Sequence, residues 1–300
     1  MKFQLLIIRA TGAWLAAGAW LAAGAISCGG SATGPRPIPP PPDSSPPSAL
    51  QVTAPMFVPG ELMEWELTWK GIAGGRTRLM VGQPGVVDGK NAIIIRSETR
   101  SDGLLAMVRY VRDDLITTVD LETSLPIASH GTFEFGKQGG AVKSSRVDAV
   151  FHGNAYDLEY ERKGRRALSW TQRLPKGEFA YDVHSVLGAL RAWEPADGTR
   201  AYFYALSGRR LYLVEVAAAG REQIKIGLGP HAAMRYEGRA VRLTRALSLH
   251  KKRKPREFTV WVSDDSDRVP LKIQARTEYG DVNVELVAYD RATEIPIASR

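Results

Sequence analysis

Between Leu62 and Trp69 the chain alternates without a break. Met63, Trp65, Leu67 and Trp69 fall on one side, and Glu64, Glu66 and Thr68 on the other. A period of two sends successive side chains to opposite faces of a pleat, so this stretch reads as a half-buried strand. The alternation returns at Tyr156, Leu158 and Tyr160 against Asp157, Glu159 and Glu161. It returns again at Leu271, Ile273, Ala275 and Thr277 against Lys272, Gln274, Arg276 and Glu278. Further strands are predicted over 76–81, 92–98, 106–111, 115–119, 146–151, 168–172, 201–206, 211–216, 222–226, 239–243, 257–262 and 282–289. Turns such as Asp88-Gly89, Gly153-Asn154 and Gly280-Asp281 separate them. Many short strands without alternating helices predict a mainly β fold, either an antiparallel sheet or open β-barrel, or two β halves.

One segment departs from that period. Over 183–193, Val183, Val186, Leu187 and Leu190 recur at helical spacing, Asp182 stands where an N-cap belongs, and Pro195 closes the segment. A short central helix is therefore expected to divide the two β halves.

The N-terminus follows a different logic. Lys2 and Arg9 are followed by an uncharged run over 10–26 and then by Ala25-Ile26-Ser27-Cys28. Positive start, apolar core and small-residue cut site make an export signal. With cysteine at the cut it resembles a bacterial lipoprotein signal, which implies a lipid on Cys28. An uncleaved membrane helix and a plain signal peptide are the other two fates such a segment can have. Cys28 is the one cysteine of the chain, so it has neither a disulfide partner nor a thiolate companion for a metal, which favours lipidation. The reading divides the chain into a signal peptide (1–27), a proline-rich tether (28–55), a β-rich domain (56–292) and a tail (293–300). Pro35, Pro37, Pro39, Pro40, Pro41, Pro42, Pro46 and Pro47 bias the tether toward extended polyproline II. The domain is thus expected in the cell envelope, facing the periplasm, anchored to the inner or outer membrane.

Three stretches resemble one family. Phe57-x-Pro59-Gly60-Glu61 with the strand to Trp69, the helix Asp182-Val183-His184-Ser185-Val186-Leu187-Gly188-Ala189-Leu190-Arg191, and Trp261-Val262-Ser263-Asp264-Asp265-Ser266-Asp267-Arg268-Val269-Pro270-Leu271 are similar to segments of an exported bacterial family, domain of unknown function 3108. The resemblance implies a fold and a location but no reaction. A fainter likeness links Val262-Ser263-Asp264-Asp265 and Val269-Pro270-Leu271 to periplasmic lipoprotein carriers, half-barrels that hold acyl chains on a concave apolar face.

Candidate sites are few. Asp264, Asp265 and Asp267 lack the glycine and distal glutamate of an EF-hand loop, so a turn closed by Asp hydrogen bonds is the better reading. The histidines His130, His152, His184, His231 and His250 are scattered singly, without the spacing of a zinc site. No metal and no cofactor are assigned. Asp182, His184 and Ser185 invite a nucleophile–base reading, but adjacent helical residues point about 100° apart and cannot form a relay among themselves. The chain carries a net charge of +8, and its densest cationic run is Lys251, Lys252, Arg253, Lys254 and Arg256, a candidate contact for anionic lipid headgroups or polymers. An exported protein has no nucleic acid to meet. Trp65, Trp69 and Trp261 are candidate lining for an apolar ligand. The expectation is a non-enzymatic envelope lipoprotein that binds a hydrophobic or acyl ligand or acts as a scaffold. An interaction module for anionic polymers is the alternative, and a hydrolase the third reading.

Overall fold

The computed structural model describes residues 47–50, 52, 55–103, 106, 110–136, 140–250, 253–277 and 280–291. Strand β2 (Leu62–Trp69) keeps the alternation read from the sequence, with Met63, Trp65 and Leu67 buried and Glu64 and Glu66 partly exposed. Ahead of it, among the described residues, lies the two-residue β1 (Ser48–Ala49). From β2 the chain runs as a meander through β3 (Ile72–Val81), the short β4 (Gly85–Val87), β5 (Lys90–Ser101), β6 (Tyr110–Asp120), β7 (Pro126–Gly136), β8 (Lys143–His152), β9 (Ala155–Arg162) and β10 (Leu168–Arg173). Strand β11 (Ala180–Tyr181) leads into helix α1 (Val183–Ala192). A second meander follows: β12 (Arg200–Ser207), β13 (Arg210–Ile226), β14 (Gly229–Arg242), β15 (Arg256–Ser263), β16 (Pro270–Thr277) and β17 (Gly280–Asp290).

Strand β17 pairs antiparallel with β2, Val282 opposite Trp69 and Asp290 opposite Leu62, and this joins the two meanders into one sheet. Among the described strands, only β1 and β11, both laid along β12, are parallel to their neighbour. Helix α1 thus sits in sequence between the two meanders, as its spacing predicts. Among the described residues no helix is long and apolar enough to cross a membrane.

The sheet does not close into a barrel. Side-chain parity shows what happens instead. Ala201, Phe203 and Ala205 of β12 and Val214 and Val216 of β13 belong to the main core, which also holds Trp65, Ile95, Ala189 and Leu190. Residues of opposite parity on the same strands, Leu206 and Leu211, belong to a second core with Phe133, Val147, Tyr156 and Leu158 from β7, β8 and β9. One end of the sheet is therefore laid over the back of the other, and the seam is filled by side chains. Each fully buried large apolar side chain there contributes about 1.5–3 kcal/mol. Gln172 Nε2 donates to the Arg245 carbonyl at 3.0 Å, and the Arg245 guanidinium lies 4.0 Å from the Trp170 ring centroid, across the same seam.

Several strand limits differ from those read in the sequence. The predicted strands 211–216 and 222–226 are one strand, β13, which bulges between Ala218 and Arg221 in its pairing with β14. The predicted strand 115–119 is the second half of β6, which already begins at Tyr110. Strand β7 was not predicted: Pro126, Gly131 and a run of Ser, His and Thr blur its period. It persists because it is hydrogen-bonded on both sides, to β6 and to β8.

Candidate functional site

The three segments that resemble the family meet around α1. Asp182 caps the helix: its carboxylate accepts from Ser185 N at 2.9 Å, and the Ser185 hydroxyl accepts from Asp182 N at 2.8 Å. This reciprocal box satisfies two amides that a helix start would leave open. At the other end Arg191 is fully buried and makes a forked pair with Glu61, 2.5 Å from Nη1 to Oε1 and 3.0 Å from Nη2 to Oε2. Arg191 also donates to the carbonyls of Arg268 at 3.1 Å and Asp267 at 2.9 Å. Arg268 returns the contact through Nε to the Arg191 carbonyl, and reaches the Trp193 carbonyl at 2.8 Å and the Tyr236 hydroxyl at 2.7 Å. Glu61, Arg191 and Arg268 come from the first, second and third segments, so the motif residues build a clamp that fixes the helix in the sheet. Gly188 belongs to the same fit, since a Cβ there would lie 2.3 Å from Phe57 Cε2.

The acidic turn between β15 and β16 serves that clamp. Asp265 Oδ1 accepts from the Ser263 hydroxyl at 2.7 Å and from the amides of Asp267 and Arg268, each at 3.0 Å. The neighbouring carboxylates diverge, Asp264 to Arg221 at 3.0 Å and Asp267 to Arg291 at 3.0 Å. This is the hydrogen-bonded turn the sequence suggests.

A second polar group forms where the helix start meets β5 and β6. His184 bonds Thr117 Oγ1 through Nδ1 and Ser97 Oγ through Nε2, both at 2.8 Å. The Thr117 hydroxyl donates to Asp182 Oδ2. Because Thr117 spends its proton on the carboxylate, it can only accept from His184, so Nδ1 carries the imidazole proton and Nε2 accepts from Ser97. Burial pushes His184 down to about 4, against the pull of Asp182, so the ring is neutral at pH 7. His184 bonds neither Asp182 nor Ser185 directly. A distant serine, Ser97, does reach it.

That contact has the nucleophile–base form of a hydrolase without the rest of the apparatus. Thr117 separates the imidazole from the carboxylate, so no acid orients the base directly. Ser97 sits in mid-strand between Leu79 and Leu115, where the ladders engage the backbone and leave no sharp turn to expose its hydroxyl. An imidazole held near 4 is also a weak base at neutral pH. The cluster locks the helix start onto the sheet. Its trace in the sequence is slight: the face of β5 that carries Ile93 and Ile95 continues with Ser97 and Thr99, hydroxyls where apolar residues would be expected. Further along that face Asp113 is buried, and both its carboxylate oxygens have no hydrogen-bond partner. Burial, and then the Glu134 charge, pushes its carboxyl well above the ordinary aspartate value.

The three tryptophans differ in burial and in hydrogen-bond partner, although Trp69 and Trp261 both pack against the core that holds Trp65. Trp65 is buried and donates to the Pro270 carbonyl at 2.8 Å, and Trp69 is partly buried against the same core. Trp261 alternates with the buried Val260 and Val262 and points to the other face, where its indole donates to Glu222 at 2.5 Å. Of the basic run, Lys254 is exposed, Arg253 and Arg256 are partly buried, and Lys251 and Lys252 lie outside the described residues, as does Cys28.

Solved structures are similar to the chain at low identity. A β-barrel-like protein of domain of unknown function DUF1849 from Brucella abortus matches at 11% identity and a TM-score of 0.48, over 80% of this chain and 98% of that one. A Bacteroides fragilis protein described as exported, with a YmcC-like fold, matches at 7% identity and a TM-score of 0.37, over 80% and 99%. A Parabacteroides distasonis protein described as a lipoprotein matches at 5% identity and a TM-score of 0.32, over 81% and 100%. No curated protein matches the chain. The family model described as "Protein of unknown function (DUF3108)" matches residues 64–287, across both meanders and the clamped helix, and the chain belongs to that family.

Proposed function

We propose that this protein is a non-enzymatic cell-envelope lipoprotein, held to a membrane through Cys28, whose β body contacts an anionic envelope polymer through its basic loop. The observation that carries this reading is the uneven pairing of charge. On the strands many cations meet carboxylates, among them Arg78 with Glu64, Arg96 with Asp114 and Glu98, Lys272 with Glu285, and Arg276 with Glu257. At the β14–β15 connection Arg253 and Lys254 have no such partner among the described residues, so that end keeps its positive field for an outside anion. The Ser97–His184 contact is used up in holding the helix, which argues against hydrolysis. The acyl-ligand reading rests on the likeness to half-barrel carriers and on tryptophan lining, and Trp65 is buried in the filled core with its indole bonded to the Pro270 carbonyl.

The test is capture of detergent-solubilised full-length protein on lipopolysaccharide-coated beads at rising salt. The wild type is expected to bind at low ionic strength and elute as screening grows. Neutralising Lys251, Lys252, Arg253 and Lys254 to Gln should abolish the salt-sensitive fraction. Unchanged capture overturns the proposal.

A further inference from the structure

Arg253, in the β14–β15 connection, lies near arginines that come from the strands. Tyr212 of β13 and Arg242 of β14 are direct cross-strand partners, so their side chains share a face. Arg256 of β15 stands opposite Ala240, two residues before Arg242 on that same face, and its guanidinium lies 5.7 Å from the Tyr212 ring centroid. Arg210 precedes Tyr212 by two and shares its side of β13. Arg253 is brought back by the loop, in which His250 N bonds the Arg242 carbonyl and Arg253 N the His250 carbonyl, both at 2.9 Å. This group lies at the opposite end of β15 from the Arg191–Arg268 clamp, and the strand's eight residues span about 23 Å.

Such a gathering is costly by itself. Like charges repel, and a buried donor left without a partner costs about 1–3 kcal/mol. Arg242 Nε, Arg253 Nε and the Tyr212 hydroxyl are all buried and have no hydrogen-bond partner. Neither Arg242 nor Arg253 has a carboxylate within ion-pair distance among the described residues. Burial first, and then the charges of Arg210, Arg253 and Arg209, press the Arg242 guanidinium below its ordinary value, with Tyr212 opposing. Elsewhere in the molecule a buried arginine is matched: Arg191 has Glu61.

We infer that Arg242, Arg253 and Tyr212, flanked by Arg210 and Arg256, bind a phosphate-type oxyanion. The inference rests on the anionic-contact reading above and names its ligand chemistry. Guanidinium forks pair bidentately with tetrahedral oxyanions, and Tyr212 supplies one further O–H donor. Arg242 and Arg253 together carry more charge than one carboxylate can balance, whereas a phosphate monoester carries nearly two negative charges at neutral pH.

The test titrates inorganic phosphate by calorimetry into detergent-solubilised full-length protein, with acetate at equal ionic strength for comparison. Phosphate is expected to bind at least tenfold more tightly than acetate. Arg242→Gln and Arg253→Gln should each weaken it at least tenfold, Tyr212→Phe less, and neutralising Lys251, Lys252 and Lys254 should leave it unchanged. Equal affinity for acetate, or wild-type affinity in both arginine variants, overturns the site. If Arg242→Gln does not fold, Arg253→Gln, placed in a connection between strands, decides alone. Mixed micelles distinguish the source: phosphatidic acid that displaces phosphate, where phosphatidylcholine does not, identifies a lipid headgroup, and failure to displace identifies a soluble phosphate. Weak phosphate binding with polymer capture still lost in the loop variant overturns this inference alone. Tight phosphate binding with capture indifferent to the loop overturns the polymer reading alone.

Discussion

Glu61 and Arg191 are both inaccessible to water, so each is tolerable only because the other is there. Removing one partner of a buried pair leaves an uncompensated charge and costs about 3–5 kcal/mol. Glu61→Gln should therefore lower the unfolding free energy by about that much, read as a shift in urea midpoint at unchanged slope. His184 makes a different prediction. Its proton affinity is lower in the folded chain, about 4 against an ordinary 6.5, so from pH 6.5 down to about 4 the unfolded chain takes up a proton that the folded chain refuses. Stability contributed by the neutral ring is complete above 6.5 and is lost as pH falls through that window, by about 3 kcal/mol in total. The stability difference between wild type and His184→Gln, from urea unfolding at pH 7 and pH 4, should shrink by that amount. The residue types at both sites stand in the sequence, but their partners lie 130 and 87 positions away, beyond any local pattern.

The helix was legible because its signals are local: Asp182 at the cap, four apolar residues on one face, and Pro195 soon after. Its seating was not. Gly188 reads as a weak helix residue, yet it is the hole into which the Phe57 ring fits. Gly188→Ala should destabilise by about 1–3 kcal/mol, although alanine is the better helix former. In a double-mutant cycle with Phe57→Ala, the two losses should fail to add by more than about 0.5 kcal/mol, and strict additivity would remove the contact from the account. Strand β14 repeats the device, with Phe258 of the neighbouring strand lying over Gly238, where a Cβ would come within 2.1 Å of the ring. That glycine, with Gly229 and Pro230, hid most of β14 from its period, as Gly131 and Pro126 hid β7. Strands held on both sides by ladders tolerate residues that would end a strand standing alone.

At the scale of the molecule, the signal, the tether and the β body form a sequence of roles that composition alone suggests. Mass spectrometry of the mature protein should show a chain that begins at an acylated Cys28, and a chain retaining residues 1–27 would contradict it. The sequence by itself determined that the body is mainly antiparallel β, that a capped helix stands between two meanders, and that positive charge collects at 251–256. Those properties depend on neighbours within a few residues: periodicity, capping and charge density are local. Only the tertiary structure decided that the sheet overlaps itself and that three motifs close into one clamp. It also decided that Arg210 and Arg242 join the basic loop around Tyr212. Each of these depends on which strands become neighbours, and that follows from burying apolar faces across the whole chain, an energy summed over all the strands at once.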